Sequence, residues 1–337
     1  MEKLILNFPN IDKVNAMSIG SQERVKGLLL KALGKSSIRI IPGFTTTAYF
    51  FWSFLHTNNI RGKLAGILSQ LNRTTLSNIN EVSQKARELI ATSEIPINLK
   101  KILVRYYQLL SSGSGHHEVM VRSQSLMMGA TSNFMTLETF YGVKDEEDLC
   151  KVVHGSFIDL YSVESIQKAL SCFIDVMNIT ATSSVHLMHF QGNSSSGVLS
   201  YTPAHQQVVL RGTWGIYEEN ASEEADVYEF NVIPDSESQL QKSLGKKTWT
   251  KGKFSDQKSV SFAIERIPTP DYKRCQFVLK DIEVKQLANW LFNIENYLHL
   301  PVSLYWYKSG PNGLLYITDI TVKSPNSVSE SVVEAVS

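Results

Sequence analysis

Apolar positions recur every three or four residues through most of the first hundred residues, and every second residue through much of the remaining chain. In "SQERVKGLLLKAL", Ser21 to Leu33, the side chains of Val25, Leu28, Leu29 and Leu33 fall on one stripe, and Gly34 follows as a stop signal, so a helix is predicted. "IRIIPGFTTTAYFFWSFLHTN" predicts a short strand, a Pro42-Gly43 turn and an aromatic-rich helix capped by one of Thr45 to Thr47. "NINEVSQKARELI" predicts a helix opened by Asn78 or Asn80, with Val82, Ala86, Leu89 and Ile90 inward. "INLKKILVRYYQLL" predicts another, beginning after Pro96 and ending at "SSGSG", Ser111 to Gly115.

Beyond that loop, Glu118 to Arg122 and Thr136 to Tyr141 read as strands. A helical stretch, "DEEDLCKVVHGSFIDLYSVESIQKALSCFIDV", starts at an acidic N-terminus near Asp145 and is one helix or two meeting near Ser162. From Ser184 onward the pattern is mostly β: "VHLMHF", "SGVLSY", "QVVLRG", "VYEFNV", "SVSFAIERI", "VSLYWY" and "GLLYITDI", interrupted by one helix, "KDIEVKQLANWLFNIENYLHL". The Ser-rich tail, 324–337, has little to bury and is expected to fray. A helical front followed by a sheet-rich half with one late helix is an α+β arrangement.

Composition narrows the function classes. With 337 residues, 43% hydrophobic and 19% charged, the chain can bury a large core. A net charge of +1 provides no global field towards nucleic acid, an anionic membrane or acidic substrates. No apolar run reaches transmembrane length, and the opening "MEKLILNFPN" is too short for a signal peptide. Cys150, Cys172 and Cys275 form neither a disulfide framework nor a zinc pattern. The expectation is a soluble cytoplasmic protein with no nucleic-acid or membrane partner.

Each candidate for chemistry has a plainer alternative. His116-His117 has the makings of a metal or catalytic pair, but no second ligand cluster stands nearby in sequence, which favours a loop. Cys150 and His154, spaced i, i+4, share a helix face with Val153 and Phe157, which favours core packing. "KKTWTKGK", Lys246 to Lys253, could grip a phosphate backbone, but near-neutral overall charge favours a solvated hairpin. "GNSSSG", Gly192 to Gly197, reads as a hairpin loop before it reads as a phosphate cover. Neither G-x-x-x-x-G-K-[ST] nor G-x-G-x-x-G occurs. Arg122 ends the apolar run Val119-Met120-Val121 beside Ser123, Gln124 and Ser125. A forked guanidinium suits a phosphate or a carboxylate equally well, and periodicity alone favours a structural ion pair.

The order of the pieces points further. "SIGSQERVKGLL" and "IPGFTTTAYFFWSFL" resemble the opening turn, helix and "PGF-x-x-T" segment of the ATP-grasp nucleotide-binding domain of the phosphoenolpyruvate synthase and pyruvate phosphate dikinase family, a domain related to rifampin phosphotransferase. "RELIATSEIPINLKKILVRYYQLL" resembles its helical insert, "VMVRSQS" its "VAVRSSA" strand, and "NFMTLETFYGV" the segment after it. "SGVLSYTP", "GTWGIYEE", "IENYLHLPVSLYW" and "GLLYITDITV" are similar to its later motifs. The likeness runs collinearly over about residues 14 to 323. Each motif is weak alone, and the order carries the identification.

The resemblance implies an ATP-grasp type fold: two lobes around a cleft, an N-terminal lobe at 1–183 with a helical insert at about 45–112, a C-terminal lobe at 184–323 and a flexible tail. It implies a phosphotransferase-type module using ATP and Mg²⁺ and passing phosphate to an unknown acceptor or to a histidine on a separate phosphohistidine-domain protein. The phosphate-binding arginine lands on Arg122, and the acid of the "WGLGE" motif on Glu218, with Tyr217 replacing a glycine. The Gly-Gly-Lys turn becomes Ile19-Gly20-Ser21, so the lysine falls on Ser21, with Arg24 or Lys26 as compensating cations one turn along. Met188 takes the place of an adenine-side glutamine. The metal-binding D-x-E pair becomes Ser303-Leu304-Tyr305, leaving Asp319 as the remaining carboxylate, so Mg²⁺ binding is expected to be weak or lost. The alternative is a catalytically inactive relative acting as a scaffold or regulatory partner.

Overall fold

The computed structural model describes residues 3–11, 18–33, 37–112, 118–127, 133–188, 194–202, 206–219, 222–231, 240–252, 265–310 and 312–322. His116-His117, the first part of "GNSSSG", Lys253, most of "SVSFAIERI" and the tail lie outside these residues. The chain divides into two compact units, Met1–Leu28 with Pro42–Met188, and Leu29–Ile41 with His189–Ser337.

In the first unit, β1 (Ile5–Asn7) is followed by α1 (Ser21–Leu33), whose residues from Leu29 on belong to the second unit. Then come β2 (Gly43–Thr46), α2 (Ala48–Thr57), α3 (Arg61–Ser69), α4 (Ile79–Ala91) and α5 (Ile97–Ser112). The unit closes with β3 (Val119–Met127), β4 (Asn133–Val143), α6 (Glu146–Asp159), α7 (Val163–Ser171) and β5 (Ile179–His186). Its sheet runs β1-β2-β5-β3-β4 with every neighbouring pair antiparallel. Phe51 and Phe54 of α2 pack on Phe157 of α6 at 5.0 and 5.1 Å between ring centroids, so the expected aromatic-rich helix lies against the core.

Most predicted helices stand where the periodicity put them. The long stretch after Asp145 is two helices, each with a side-chain cap: Asp145 accepts from the Asp148 amide at 2.8 Å, and Ser162 from the Ser165 amide at 3.1 Å. Three readings need correction. The strand expected before Pro42 is a single bridge at Ile40, and the true strand, β2, starts at Gly43, where a turn was expected. Helix α3 is not anticipated, because Leu64, Ala65, Ile67 and Leu68 are spread widely round the helix rather than gathered on one narrow stripe. Strand β5 begins five residues before the expected Ser184, because the apolar alternation of "ITATSS" is lost after Ala181 although every residue of β5 is buried.

The second unit holds β6 (Ser195–Thr202), β7 (Gln207–Trp214), β8 (Asp226–Asn231), β9 (Gln241–Ser243), β10 (Trp249–Gly252) and β11 (Glu265–Pro268). These are followed by α8 (Asp271–Arg274), α9 (Asp281–Leu298), β12 (Val302–Lys308) and β13 (Leu315–Val322). Six strands form one antiparallel sheet, β13-β12-β6-β7-β8-β9, and β10 pairs with β11 separately. Helix α9 buries Val284, Leu287, Trp290, Leu291 and Ile294, with contacts to β6 and β12. Asp226 is wholly buried and accepts from the amides of Gly245 at 2.8 Å and Val278 at 2.9 Å and from the buried Lys247 ammonium. The lysine-rich hairpin expectation is corrected here: Lys247 is interior, and it is stable there because its charge is paired and hydrogen-bonded. Both units mix helices with antiparallel sheets, as the α+β reading anticipated.

Candidate functional site

In the first unit the chemistry gathers on one face of the sheet. Arg122 is the half-buried residue within an otherwise buried run of β3. Its Nη1 donates to Gln22 Oε1 at 3.2 Å, and Gln124 Nε2, two residues along on the same face, donates to the same oxygen at 3.2 Å. Gln22 lies next to Ser21 at the start of α1, where the Arg24 amide donates to Gly20 O at 3.1 Å in the first helical bond. Of the expected residues, Arg122 is thereby tied to Gln22, the residue that follows Gly20-Ser21.

Across the β3–β5 register, Arg122 faces Ser184 and Gln124 faces Thr182, with Thr180 next on that side. Ser184 donates to Thr45 Oγ1 at 3.3 Å. The hydroxyls of Thr180 and Thr182 are buried and, among the described residues, make no hydrogen bond. An orphaned buried hydroxyl costs about 1–3 kcal/mol, so two on one sheet face require a reason. A face carrying a guanidinium, an amide and two unengaged hydroxyls has the donors that a phosphate group accepts from.

Lys26, expected as a compensating phosphate ligand, lies wholly inside the unit. Its Nζ is 3.0 Å from His186 Nε2, 3.8 Å from Glu23 Oε1 and 5.4 Å from the centre of the Phe8 ring. An ammonium has only donors, so His186 Nε2 accepts and the ring proton sits on Nδ1. Glu23 and His186 are also fully buried, and the Lys26 charge is directed to them. Met188 is buried just past the end of β5.

The second unit holds the other two expected residues. After β7 the chain turns at Gly215, φ +73°, where a Cβ would lie 2.0 Å from Lys251 O. Ser196 holds this turn, donating to Gly215 O at 2.7 Å and accepting from the Tyr217 amide at 2.8 Å. Glu218 follows, and its carboxylate bonds Lys251 Nζ and, at 2.7 Å, Arg266 Nη2. Partial burial raises the Glu218 pKa, but the hydrogen bonds from Lys251 and Arg266 outweigh it and hold the carboxyl below its ordinary range. Tyr217, Trp249 and these charged groups line a cavity of about 110 Å³.

Asp319 is buried on β13 directly across from Tyr305 of β12, and Ser303 lies across from Thr321. The Tyr305 phenol donates to Glu219 Oε1. Burial, the Glu219 hydrogen bond and the nearby Glu219 and Asp319 charges all push the Tyr305 pKa up, so its oxygen stays protonated. Among the described residues no group of three His, Cys, Asp or Glu side chains converges on a metal-sized site. His154 is half-buried against the core, with Nε2 3.0 Å from Ile90 O and its ring 5.8 Å from Phe54.

Sequence reasoning missed Gln22, Lys251, Arg266 and Glu219. The alternation in "RSQS" could have placed Gln124 beside Arg122, and the match to the Gly-Gly-Lys turn drew attention to Ser21 rather than to Gln22. No local signal tied Lys251 or Arg266 to Glu218.

Residues 19–328 match the family described as pyruvate phosphate dikinase, AMP/ATP-binding domain. The chain is 22% identical over 342 residues to a phosphoenolpyruvate synthase of Neisseria meningitidis, covering 96% of this chain and 43% of that protein. It is 25% identical over 327 residues to the enzyme of that name from Aquifex aeolicus, covering 91% of this chain and 38% of the relative. Identity to the Escherichia coli phosphoenolpyruvate synthase is 22% over 342 residues, covering 97% of this chain and 43% of the relative. The chain thus spans less than half the length of these relatives.

Proposed function

The chain belongs to the pyruvate phosphate dikinase AMP/ATP-binding domain family, and from that premise we infer that it is an ATP-binding module of phosphotransferase type with an ATP-grasp fold. The observation that carries this reading is the Arg122–Gln22–Gln124 contact beside the two orphaned hydroxyls of β5, a donor set suited to phosphate oxygens. In this reading Arg122 contacts phosphate, the Gly20-Ser21 turn approaches it through backbone groups, and Met188 contacts the nucleoside. The acceptor is a small molecule or a histidine on a phosphohistidine-domain protein.

The residues present fit Mg²⁺ poorly, with Asp319 the one carboxylate left at the expected positions. That ion takes hard, largely charged oxygen ligands, whereas Ser303 and Tyr305 offer a hydroxyl and a phenol already donating to Glu219. This favours a second reading, in which the protein binds nucleotide without turning it over and serves as a scaffold or regulatory partner.

Calorimetric titration with ATP and a non-hydrolysable analogue, with and without Mg²⁺, on the wild type and Arg122→Ala tests the first inference. Micromolar binding that Arg122→Ala abolishes supports it, and no binding to either protein sinks it. Loss of the γ-phosphate from ATP, followed in the same samples, separates the catalytic reading from the non-catalytic one.

A further inference from the structure

We propose that the cavity beside Glu218 in the second unit is a binding site for a small zwitterion of the α-amino acid class. The ligand's carboxylate sits on Arg266 and Lys251, and its ammonium between Glu218 and the Trp249 indole. The inference stands without the nucleotide reading above.

Backbone contacts fix the walls of this cavity. The Ile216 amide donates to Lys251 O at 2.8 Å and Gly215 pairs with Lys251 in a bridge, so the β10–β11 hairpin is pinned to the turn that carries Glu218. In the hairpin register Lys251 lies directly across from Arg266, and Trp249, two residues before Lys251, shares their face. Two cations placed opposite each other repel. The Glu218 carboxylate relieves that repulsion by bonding Lys251 Nζ and, at 2.7 Å, Arg266 Nη2. Donors are left over. A guanidinium has five N–H groups and an ammonium three, and among the described residues each of these side chains bonds Glu218 alone.

The charges of the lining sum to zero. Lys251 and Arg266 stand against Glu218 and Glu224, and the Glu224 oxygens are already engaged by the Thr248 amide and hydroxyl. A simple anion would bring an uncompensated negative charge beside Glu218, and a simple cation an uncompensated positive charge beside Lys251 and Arg266. Both are penalised in a partly enclosed site. A ligand carrying both charges keeps the balance and uses both sets of groups. Its carboxylate takes the unused N–H groups of Arg266. Its ammonium meets Glu218 and the half-exposed Trp249 ring, the aromatic type that attracts cations best.

Size selects within that class. The cavity measures about 110 Å³, and one of about 150 Å³ takes a benzene ring. Larger ligands occupy pockets of about 300–1,000 Å³, so a nucleotide is too big for this one. An amino acid with a short aliphatic side chain fits, with that side chain against the buried Ile216.

The experiment titrates valine, 3-methylbutanoate and isobutylamine calorimetrically into the wild type, Glu218→Gln and Arg266→Gln, with the melting temperature of each protein reporting folding. The second and third probes are valine without its ammonium and valine without its carboxylate. The wild type is expected to bind valine at about 1 mM and each analogue at least about tenfold more weakly. Glu218→Gln leaves the lining positive and should prefer 3-methylbutanoate to valine. Arg266→Gln leaves it negative and should prefer isobutylamine. A wild type that takes either analogue as tightly as valine, or binds none of the three up to about 10 mM, overturns the proposal. Wild-type preference retained in any variant that folds overturns it too, and should one variant unfold, the other decides alone.

Discussion

Lys26 donates to His186 Nε2 at 3.0 Å in the interior of the first unit, with the Glu23 carboxylate 3.8 Å from the same ammonium. Among the described residues neither oxygen of Glu23 accepts a hydrogen bond, so the stability of that carboxylate depends on Lys26. Removing one member of a buried ion pair is costly, whereas removing both often is not. Lys26→Met is expected to lose about 3–5 kcal/mol, and Glu23→Leu with Lys26→Met to recover most of it. Urea unfolding of the two variants measures this, and equal losses would show that the pair is not coupled.

Gly215 carries φ +73° with its Cα against Lys251 O, and Glu218 follows three residues on. Gly215→Ala combines left-handed strain with a backbone clash and is expected to cost at least about 2 kcal/mol. Thermal unfolding reports the loss. A variant as stable as the wild type would show that the turn relaxes freely.

The Glu218 carboxyl is held below its ordinary 4.5 by Lys251 and Arg266 against the opposing effect of partial burial. A carboxyl with a depressed folded pKa contributes stability that is present above its unfolded value and lost as the pH falls through the folded one. Glu218→Gln should therefore be less stable than the wild type at pH values above 4.5, and the gap should close below it. Melting temperatures across that range check the sign, and a gap that widens in acid would refute it.

Cys172 and Cys275 are exposed, while burial raises the pKa of the half-buried Cys150 thiol, with Glu146 and Glu147 adding to the rise against Lys100. Since the thiolate is the nucleophile, iodoacetamide should label Cys172 and Cys275 before Cys150 in the native protein. Peptide mass spectrometry over time reads the order. Early labelling of Cys150 would contradict its placement.

Apolar periodicity located α1, α4, α5, α6, α7 and α9 because each has a stripe facing a core, and the side chains of such a stripe must be apolar whatever they pack against. It missed the start of β5 for the converse reason. Thr180, Thr182, Ser183 and Ser184 are buried polar residues, and a hydroxyl acceptable inside depends on neighbours the local sequence does not name.

The candidate site divides along the same line. The sequence by itself determined that Arg122 is an unusual cation in a strand, and the order of motifs determined the family, because collinear spacing survives where individual residues have drifted. Only the tertiary structure decided that Gln22 holds Arg122, that Lys26 is interior beside His186, and that Lys251 and Arg266 engage Glu218. Each of these contacts joins residues between about 30 and 160 positions apart, and at such separations the partner of a charge is set by strand register and helix placement rather than by anything adjacent in the chain.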